Sequence, residues 1–397
     1  MKILISNYAQ EQFYRSIIKM KNTKAALLIK VIVILIFSLL NFSIAADKED
    51  SFNVQKGDLL LVDIDHGNID LSTWDKNEIK ISAKKIDDDE LSLYATEQKT
   101  GRVEVRFKGD DSDNFRLELT IPDYLIIDFK TGGGNVTINN DLRNKVTIKS
   151  AGGNITAKMI GAEATITTAG GNIKLGDISG NVVLKTSGGD IQIGSVNGRA
   201  KISTAGGNIK VNSVNSDAEI STAGGNVTVG SVNGSADIST AGGNITVSSV
   251  SGEADISSGG GNIILDGATG KVEVSTGGGN IDLENIKGSI DATTGAGNIT
   301  AELIPDGRNS SDFNSGVGNI TLYIPESSKA TIIATANDFK WGSSGKVSES
   351  IESDFESSNV SQNRRGNTFE SIYELNGGGS KIGLNVGMGE IRIKKSK

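Results

Sequence analysis

The sequence has 397 residues, with 50 glycines, 3 prolines, no cysteine and a single histidine. The lack of cysteine excludes disulfides, thiolate nucleophiles, zinc–thiolate sites and acylation at an N-terminal cysteine. A lone histidine, His66, makes a histidine-based triad or a multi-histidine metal site nearly impossible. Glycine at one residue in eight, without a collagen triplet, indicates regularly spaced turns between strands rich in Val, Ile and Thr.

The first 45 residues are typical of a secretory signal. Three lysines precede an apolar run over residues 31–40, and small residues at 43–45 suit signal peptidase. The run is shorter than the ~20 residues that a membrane span needs. We therefore predict an exported protein that is periplasmic, secreted or on the cell surface, with an inner-membrane anchor over residues 25–43 as the alternative. Met20 is a candidate start, because 19 preceding residues are unusual for a signal.

Removal of residues 1–45 would leave a strongly acidic chain. These residues carry six Lys or Arg and one acidic side chain, so their loss changes the formal net charge from −8 to −13. Nucleic acids and anionic lipids bind basic surfaces. We therefore expect no nucleic-acid partner, and membrane contact only if the N-terminal segment is retained.

An 18-residue repeat fills the centre of the sequence. Its marker is an asparagine after a glycine, which recurs at spacings of 19, then eight times 18, then 21 residues. These marker positions are Asn135, Asn154, Asn172, Asp190, Asn208, Asn226, Asn244, Asn262, Asn280, Asn298 and Asn319. Such a fixed period is typical of a solenoid built from stacked coils.

Alternation of apolar and polar residues predicts two short strands in each repeat. Counted from the marker, positions +1, +3 and +6 are aliphatic and positions +10 and +12 are apolar again, as in Ile209, Val211, Val214, Ala218 and Ile220. Glycine pairs close each repeat, where we expect positive φ or a close approach of backbones. The aliphatic positions do not recur every six residues, which argues against a left-handed hexapeptide helix.

We therefore predict an all-β, single-domain solenoid with 18-residue coils, two short strands per coil and parallel stacking. The expected divisions are a signal peptide or anchor over 1–45, an N-terminal β cap with the first coils over 46–130, regular coils over 131–324, and C-terminal coils with a cap over 325–397. Atypical end coils would cover the open ends of the stack and block edge-to-edge aggregation.

The order of several short motifs resembles a bacterial family known as putative adhesins, which has a β-strand-repeat domain of unknown function. Residues 67–71 (Gly-Asn-Ile-Asp-Leu) with the Trp-Asp pair at 74–75 are similar to its first coil. Leu-Thr-Ile-Pro at 119–122, followed by Gly-Gly-Gly-Asn-Val-Thr-Ile at 132–138, is similar to its entry into the repeats. Residues 375–382 and 389–391 look like its terminal coil. The resemblance implies an extracytoplasmic scaffold and supplies no catalytic residues.

Two polar columns are expected to serve the structure. The marker column could form a ligand-binding ladder, but short polar side chains at turns more often bond to the backbone and to the next coil. A threonine column at +14 has the parity of the inward positions, so we expect it to face the interior and not to form an ice-binding surface. Its members are Thr168, Thr186, Thr204, Thr222, Thr240, Thr276 and Thr294, with Ser258 in line.

An acidic column at position +11 is the outward feature most suited to a ligand. After Lys201 it contains Glu219, Asp237, Asp255, Glu273 and Asp291. Unit charges ~4.8 Å apart repel each other by roughly 0.9 kcal/mol in bulk water, which a divalent cation or a cationic partner would relieve. The hypothesis is a weak Ca²⁺-sensitive stripe; the alternative is a solvated face without a ligand. No other metal site and no cofactor is predicted.

The remaining acidic clusters give weaker signals. Residues 110–114 (Asp-Asp-Ser-Asp-Asn) suggest a calcium loop but lack the glycine and the bidentate glutamate that such a loop requires. Residues 87–90 are expected to form an exposed acidic loop.

We therefore predict a non-enzymatic protein, an adhesin or an envelope scaffold, whose partner is an unknown surface protein or glycan. A membrane-anchored sensor or regulatory module is the alternative. A polysaccharide-acting β-helix enzyme is disfavoured, because no insertion between Asn154 and Asn298 could build a cleft.

Overall fold

The computed structural model describes residues 46–86, 90–109, 115–337, 350–363 and 368–396. The predicted signal segment, the 110–114 loop and residues 87–89 lie outside these ranges. Within them the regular structure consists of strands and one 3₁₀ turn at Leu91–Leu93. No helix among the described residues is long and apolar enough to cross a membrane.

In the part of the chain that the structure describes, eight strands precede the regular repeats. They are β1 (Ala46–Asn53), β2 (Leu59–Ile64), β3 (Asn68–Trp74), β4 (Glu78–Ile86), β5 (Tyr94–Lys99), β6 (Arg102–Phe107), β7 (Arg116–Pro122) and β8 (Ile126–Thr131).

Two strands per coil follow through most of the repeat region. They are β9 (Val136–Ile138), β10 (Val146–Ser150), β11 (Ile155–Ala157), β12 (Ala164–Thr168), β13 (Ile173–Leu175), β14 (Val182–Lys185), β15 (Ile191–Val196), β16 (Ala200–Thr204), β17 (Ile209–Val214), β18 (Ala218–Thr222), β19 (Val227–Val232), β20 (Ala236–Thr240), β21 (Ile245–Val250), β22 (Ala254–Ser258), β23 (Ile263–Leu265) and β24 (Lys271–Thr276).

Ten more strands follow among the described residues of the C-terminal part. They are β25 (Ile281–Ala296), β26 (Ile299–Pro305), β27 (Ser311–Val317), β28 (Ile320–Ile324), β29 (Ala330–Asn337), β30 (Ile351–Ser353), β31 (Asn359–Asn363), β32 (Thr368–Leu375), β33 (Ser380–Met388) and β34 (Ile391–Lys395).

The coils stack into two parallel sheets, which confirms the predicted β-solenoid. The odd-numbered strands from β9 to β23 form sheet A, where Ile209 pairs with Val227 of the next coil. The even-numbered strands from β8 to β24 form sheet B, where Ala218 pairs with Ala236. Each strand therefore pairs with its equivalent one coil away, so equivalent side chains form straight columns.

The inward columns form one continuous aliphatic core. Ile209, Val211, Val214, Ala218 and Ile220 of one coil are each at most 3% exposed. Full burial of a Val, Leu or Ile side chain contributes about 1.5–3 kcal/mol. Each coil therefore adds a similar amount of hydrophobic stabilisation to the core. The predicted inward positions are correct.

Close approach of backbones, and not positive φ, explains the glycine that precedes the marker residue in the coils from Asn135 to Asn298. A Cβ built on Gly207 would lie 2.0 Å from the carbonyl oxygen of Gly189 in the previous coil. Gly207 is not in the left-handed region. A Cβ on the preceding Gly206 would lie 3.7 Å from its nearest neighbours, so only the second glycine of the pair is sterically required.

One coil departs from the two-strand pattern. β25 runs without interruption through residues that form two strands elsewhere, and it pairs with β23, β24, β26 and β27. The chain turns within this strand at Asn285, with φ of 51°, and at Gly288, with φ of 144°.

Antiparallel strands cover the N-terminal end of the stack. In sheet A, β1 pairs with β4 and β4 with β7, both antiparallel, before the parallel pairing of β7 with β3 begins. In sheet B, β5 pairs antiparallel with β6. Phe107 and Phe115 are fully buried and stack with their ring centroids 4.2 Å apart, so aromatic rings fill the core at this end.

The C-terminal coil returns to the stack after a long excursion. β33 pairs with β27 and β34 pairs with β28, so residues 380–395 stack directly on residues 311–324. The intervening strands β29, β32 and β31 extend sheet B, and β30 ends sheet A. The last repeat-like coil that the sequence indicates is therefore real, but it contacts a coil that lies 71 residues earlier.

Candidate interaction surface

The predicted acidic column lies on the outer face of sheet B. Successive pairings place Glu219, Asp237, Asp255, Glu273 and Asp291 side by side on neighbouring strands. All five side chains point outward, between inward positions that are buried.

A sixth acidic residue continues the column. Asp312 pairs in register with Asp291, although 21 residues separate them. A count from the asparagine marker does not reach it, because this coil carries three additional residues before its second strand. Aligning Thr294-Gly-Ala-Gly with Ser315-Gly-Val-Gly would have revealed it.

A shallow groove of about 440 Å³ runs along this column. Its second wall is the column at position +9, whose mixture of charges and serine gives no clear signal in the sequence. That wall contains Arg199, Asp217, Ser235, Glu253 and Lys271. The groove is therefore polar and mainly acidic, with cations at its edges.

Ion pairs neutralise the ends of the groove more than its centre. Lys201 Nζ lies 2.5 Å from Glu219 Oε1, and Arg199 Nη2 lies 2.7 Å from Asp217 Oδ2. Lys271 pairs with Glu273. The guanidinium of Arg199 and the Ser235 backbone N–H lower the pKa of Asp217.

The carboxylate of Asp255 is the most perturbed member of the column. Burial raises its pKa, and the neighbouring carboxylates of Asp237 and Glu273 raise it further, while Lys271 acts in the opposite direction. Like charges at one-strand spacing therefore disfavour ionisation at the centre of the stripe.

The stripe offers no preformed metal cage. In the described ranges, no group of three or more His, Asp or Glu side chains is arranged to hold a metal ion. Any Ca²⁺ sensitivity of the column would have to come from its summed charge, so the calcium hypothesis remains a prediction.

The marker asparagines form a ladder of hydrogen bonds between coils. The Oδ1 atom of Asn208 accepts the backbone N–H of Asn226 at 2.9 Å, and Asn226 Oδ1 accepts that of Asn244 at 2.8 Å. Asp190 does the same for Asn208, since only an acceptor oxygen is needed. The ladder ends where Asn319 accepts the N–H of Glu390. These contacts give the column the structural role.

The threonine column lies inside the coil, as its parity predicts. Thr222 is 6% exposed, and its hydroxyl donates to the carbonyl of Gly207 in the previous coil at 2.9 Å. The same oxygen accepts the N–H of Gly225 at 3.2 Å. Ser258 replaces threonine with equivalent bonds to Gly243 and Gly261. This column therefore links the glycine closure of each coil to that of the previous coil, and its hydroxyl groups are not available to a ligand.

A second groove lies on the outer face of sheet A near the C-terminal end. It has a volume of about 440 Å³, and its lining includes Asp282, Thr300, Glu302 and Tyr323. Tyr323 is 38% exposed, which makes it one of the large apolar side chains that the described structure leaves open to solvent. The groove combines an accessible aromatic ring with hydroxyl and carboxylate groups.

His66 and Trp74 belong to the first coil and its surroundings. Trp74 Nε1 donates to the backbone carbonyl of Glu78 at 2.8 Å, and the ammonium of Lys76 lies 4.7 Å from the centre of its ring. His66 is exposed beside Gly133. Trp74 thus holds the turn between β3 and β4.

Comparison with known proteins gives a family match and distant structural similarity. A family model described as Toastrack DUF4097 matches residues 51–238, which extend from β1 into β20. No curated protein matches the chain.

Three solved structures illustrate the structural similarity. A putative adhesin from Parabacteroides distasonis ATCC 8503 is 14% identical, with 66% of this chain and 96% of that chain covered and a TM-score of 0.27. A putative lipid binding protein from the same strain is 12% identical, with 69% and 98% covered and a TM-score of 0.28. A putative adhesin from Parabacteroides merdae ATCC 43184 is 15% identical, with 68% and 95% covered and a TM-score of 0.22.

Proposed function

Because residues 51–238 match the Toastrack DUF4097 family model, we propose that the chain is an exported, non-enzymatic interaction protein, an adhesin or an envelope scaffold. The observation that carries this proposal is that the two most regular polar columns serve the structure and are not free to bind a partner. The marker and threonine columns are engaged in hydrogen bonds between coils. The long outer faces of the two sheets are therefore the surface left for a partner.

The evenness of the stack supports binding over catalysis. Sheet B keeps one register from β8 to β24, so no inserted loop rises beside its outer face to form the wall of a deep cleft. Solenoids of this kind present extended surfaces to other macromolecules.

We propose a glycan as the first partner to test, at the sheet A groove. An exposed aromatic ring can pack against the apolar face of a sugar, and the surrounding hydroxyl and carboxylate groups can accept its hydrogen bonds. Tyr323 supplies the ring, and Thr300 and Glu302 supply the polar groups.

Binding of the purified protein to intact cells and to arrayed glycans tests this function. We expect saturable binding that Tyr323→Ala weakens at least tenfold. Met159→Ala is the matched control, because Met159 is equally exposed, at 38%, but lies far from the groove. Absence of saturable binding to both cells and glycans would contradict the proposal.

The proposed location follows from the N-terminal segment. Cell fractionation with sequencing of the mature N-terminus should recover a chain that begins near Ala46 outside the cytoplasm. Recovery of an intact N-terminus in the membrane fraction would instead favour the anchored sensor or regulatory module, with residues 25–43 as its anchor.

A further inference from the structure

The outer face of sheet B is electrically bipolar. From β8 to β16 it carries six cations against two acids, a net charge of +4; from β18 to β27 it carries eight acids against one cation, a net charge of −7. The cations of the first half are Lys130, Lys145, Lys149, Lys185, Arg199 and Lys201, and its acids are Asp128 and Glu163. The acids of the second half are Asp217, Glu219, Asp237, Glu253, Asp255, Glu273, Asp291 and Asp312, and its cation is Lys271.

Ion pairs within the face leave unmatched charges of opposite sign in the two halves. Among the described residues of the basic half, two cations, Lys149 and Lys185, and one acid, Asp128, form no ion pair, so the unmatched charge there is positive. In the acidic half the unpaired carboxylates are more numerous: Asp237, Glu253, Asp255, Asp291 and Asp312. Burial raises the pKa of Asp255, and the neighbouring carboxylates of Asp237 and Glu273 raise it further.

We propose that two copies of this chain pair antiparallel through the outer faces of sheet B. A two-fold axis along the strand direction, between β16 and β18, lays the basic half of one copy on the acidic half of the other. β14 with Lys185 then lies opposite β20 with Asp237 of the second copy, and β8 with Lys130 lies opposite the strand that carries Asp291. An interface of this symmetry uses the same patch twice, so one bipolar face is sufficient.

The size of the face suits such a dimer. Ten strands overlap around the axis, and their nine spacings of ~4.8 Å, with ~3.3 Å per residue over five residues, cover about 700 Å² on each copy. Stable interfaces bury roughly 800 Å² per partner, so we expect a modest, salt-sensitive association. Position +13 carries small serine side chains in several coils, so one edge of the face does not project toward the second copy; examples are Ser203, Ser221 and Ser239. The sheet A faces remain outward on both sides of the dimer.

Sedimentation of the protein purified after expression of the full chain tests the pairing. We expect a dimer at 20 mM NaCl whose dissociation constant rises at least tenfold at 500 mM NaCl. Lys149→Glu/Lys185→Glu should be monomeric at low salt, and so should Asp237→Lys/Asp255→Lys. An equimolar mixture of the two variants should associate, because the unchanged acidic half of one variant can lie on the unchanged basic half of the other.

Lys174→Glu/Lys210→Glu is the matched control, since it reverses two exposed lysines on the outer face of sheet A. It should dimerise like the parent. A monomer at every salt concentration, or a dimer that Lys149→Glu/Lys185→Glu leaves unchanged, overturns the proposal and leaves the glycan-binding function untouched.

Cross-linking tests the orientation, because the chain has no cysteine of its own. Ser203→Cys places a thiol about half a strand spacing from the axis, so the thiols at position 203 of the two copies lie within reach of each other. Ser275→Cys on β24 would lie seven strand spacings, about 34 Å, from its counterpart. Cross-linking at 203 but not at 275 is expected; efficient cross-linking at both positions would show a parallel arrangement and overturn the proposal.

Discussion

The two glycines of one coil closure should differ sharply in what they tolerate. In Gly207→Ala the new Cβ would meet the Gly189 carbonyl oxygen at 2.0 Å and its carbon at 2.4 Å. An ordinary contact would need more than 1 Å of additional space between the two coils. In Gly206→Ala the nearest atoms lie 3.7 Å away, which is ordinary van der Waals contact.

The cost of the first substitution follows from the bonds at this corner. Separation of the coils would stretch the bond from Thr204 Oγ1 to Gly189 O, 2.9 Å long, and that from Asn208 N to Asp190 Oδ1, 2.7 Å long. The bond from Gly207 N to Thr204 Oγ1 would be strained with them. At ~1 kcal/mol for each bond we expect a loss of about 3 kcal/mol.

Gly206→Ala should be neutral, or should stabilise the protein by up to ~1 kcal/mol because alanine lowers the conformational entropy of the unfolded chain. Three C-terminal coils already carry a side chain at the equivalent position, namely Ala296, Val317 and Met388. Urea denaturation followed by circular dichroism measures both changes. Equal midpoints for the two variants would refute the argument that coil spacing fixes the second glycine.

Four further predictions concern the polar columns. Thr222→Val should cost about 1–3 kcal/mol, because it strips a buried carbonyl and an N–H of their partner, whereas Thr222→Ser should resemble the parent; urea denaturation measures both. In the same assay, Asn226→Asp should keep the parent stability, as Asp190 does in its own coil, and Asn226→Leu should lose about 1 kcal/mol. The pKa of Asp255 is raised in the folded state, so its negative charge opposes folding, and the stability of the protein increases as the pH falls through the folded pKa. Asp255→Asn should therefore raise Tm at pH 7, and the difference in Tm from the parent should disappear at acidic pH. Ca²⁺ at a millimolar concentration near its Kd should stabilise the protein by about 0.4 kcal/mol through the acidic column, which corresponds to a small rise in Tm. Samples without Mg²⁺ and samples with a chelator are the controls. An unchanged Tm would refute the calcium hypothesis.

Local pattern was sufficient to predict the regular coils. Period-two alternation identified Ile209 and Ala218 as inward residues and Glu219 as outward, because each coil repeats the same short-range geometry. The same parity placed Thr222 inside. The sequence could not distinguish positive φ from close approach at the glycine corner, since both favour the same residue; the distance between coils decides it.

Long-range pairing could not be predicted in the same way. Residues 325–390 separate β28 from β34 in the sequence, although the two strands pair. The antiparallel pairing of β1 with β4 depends on which edge of the sheet remains open. Asp312 was hidden by three additional residues that shift the repeat count. The bipolar charge of sheet B was present in the sequence, but it becomes visible only when residues are sorted by face and not by coil.

Simultaneous measurement of binding and turnover on cell-envelope polysaccharides tests the central claim most directly. The purified protein would be incubated with each polysaccharide, and both retained protein and newly released reducing ends would be quantified. We predict saturable retention that thermal unfolding abolishes, with no release of reducing ends. Release of reducing ends above the heat-inactivated control would contradict a purely binding function.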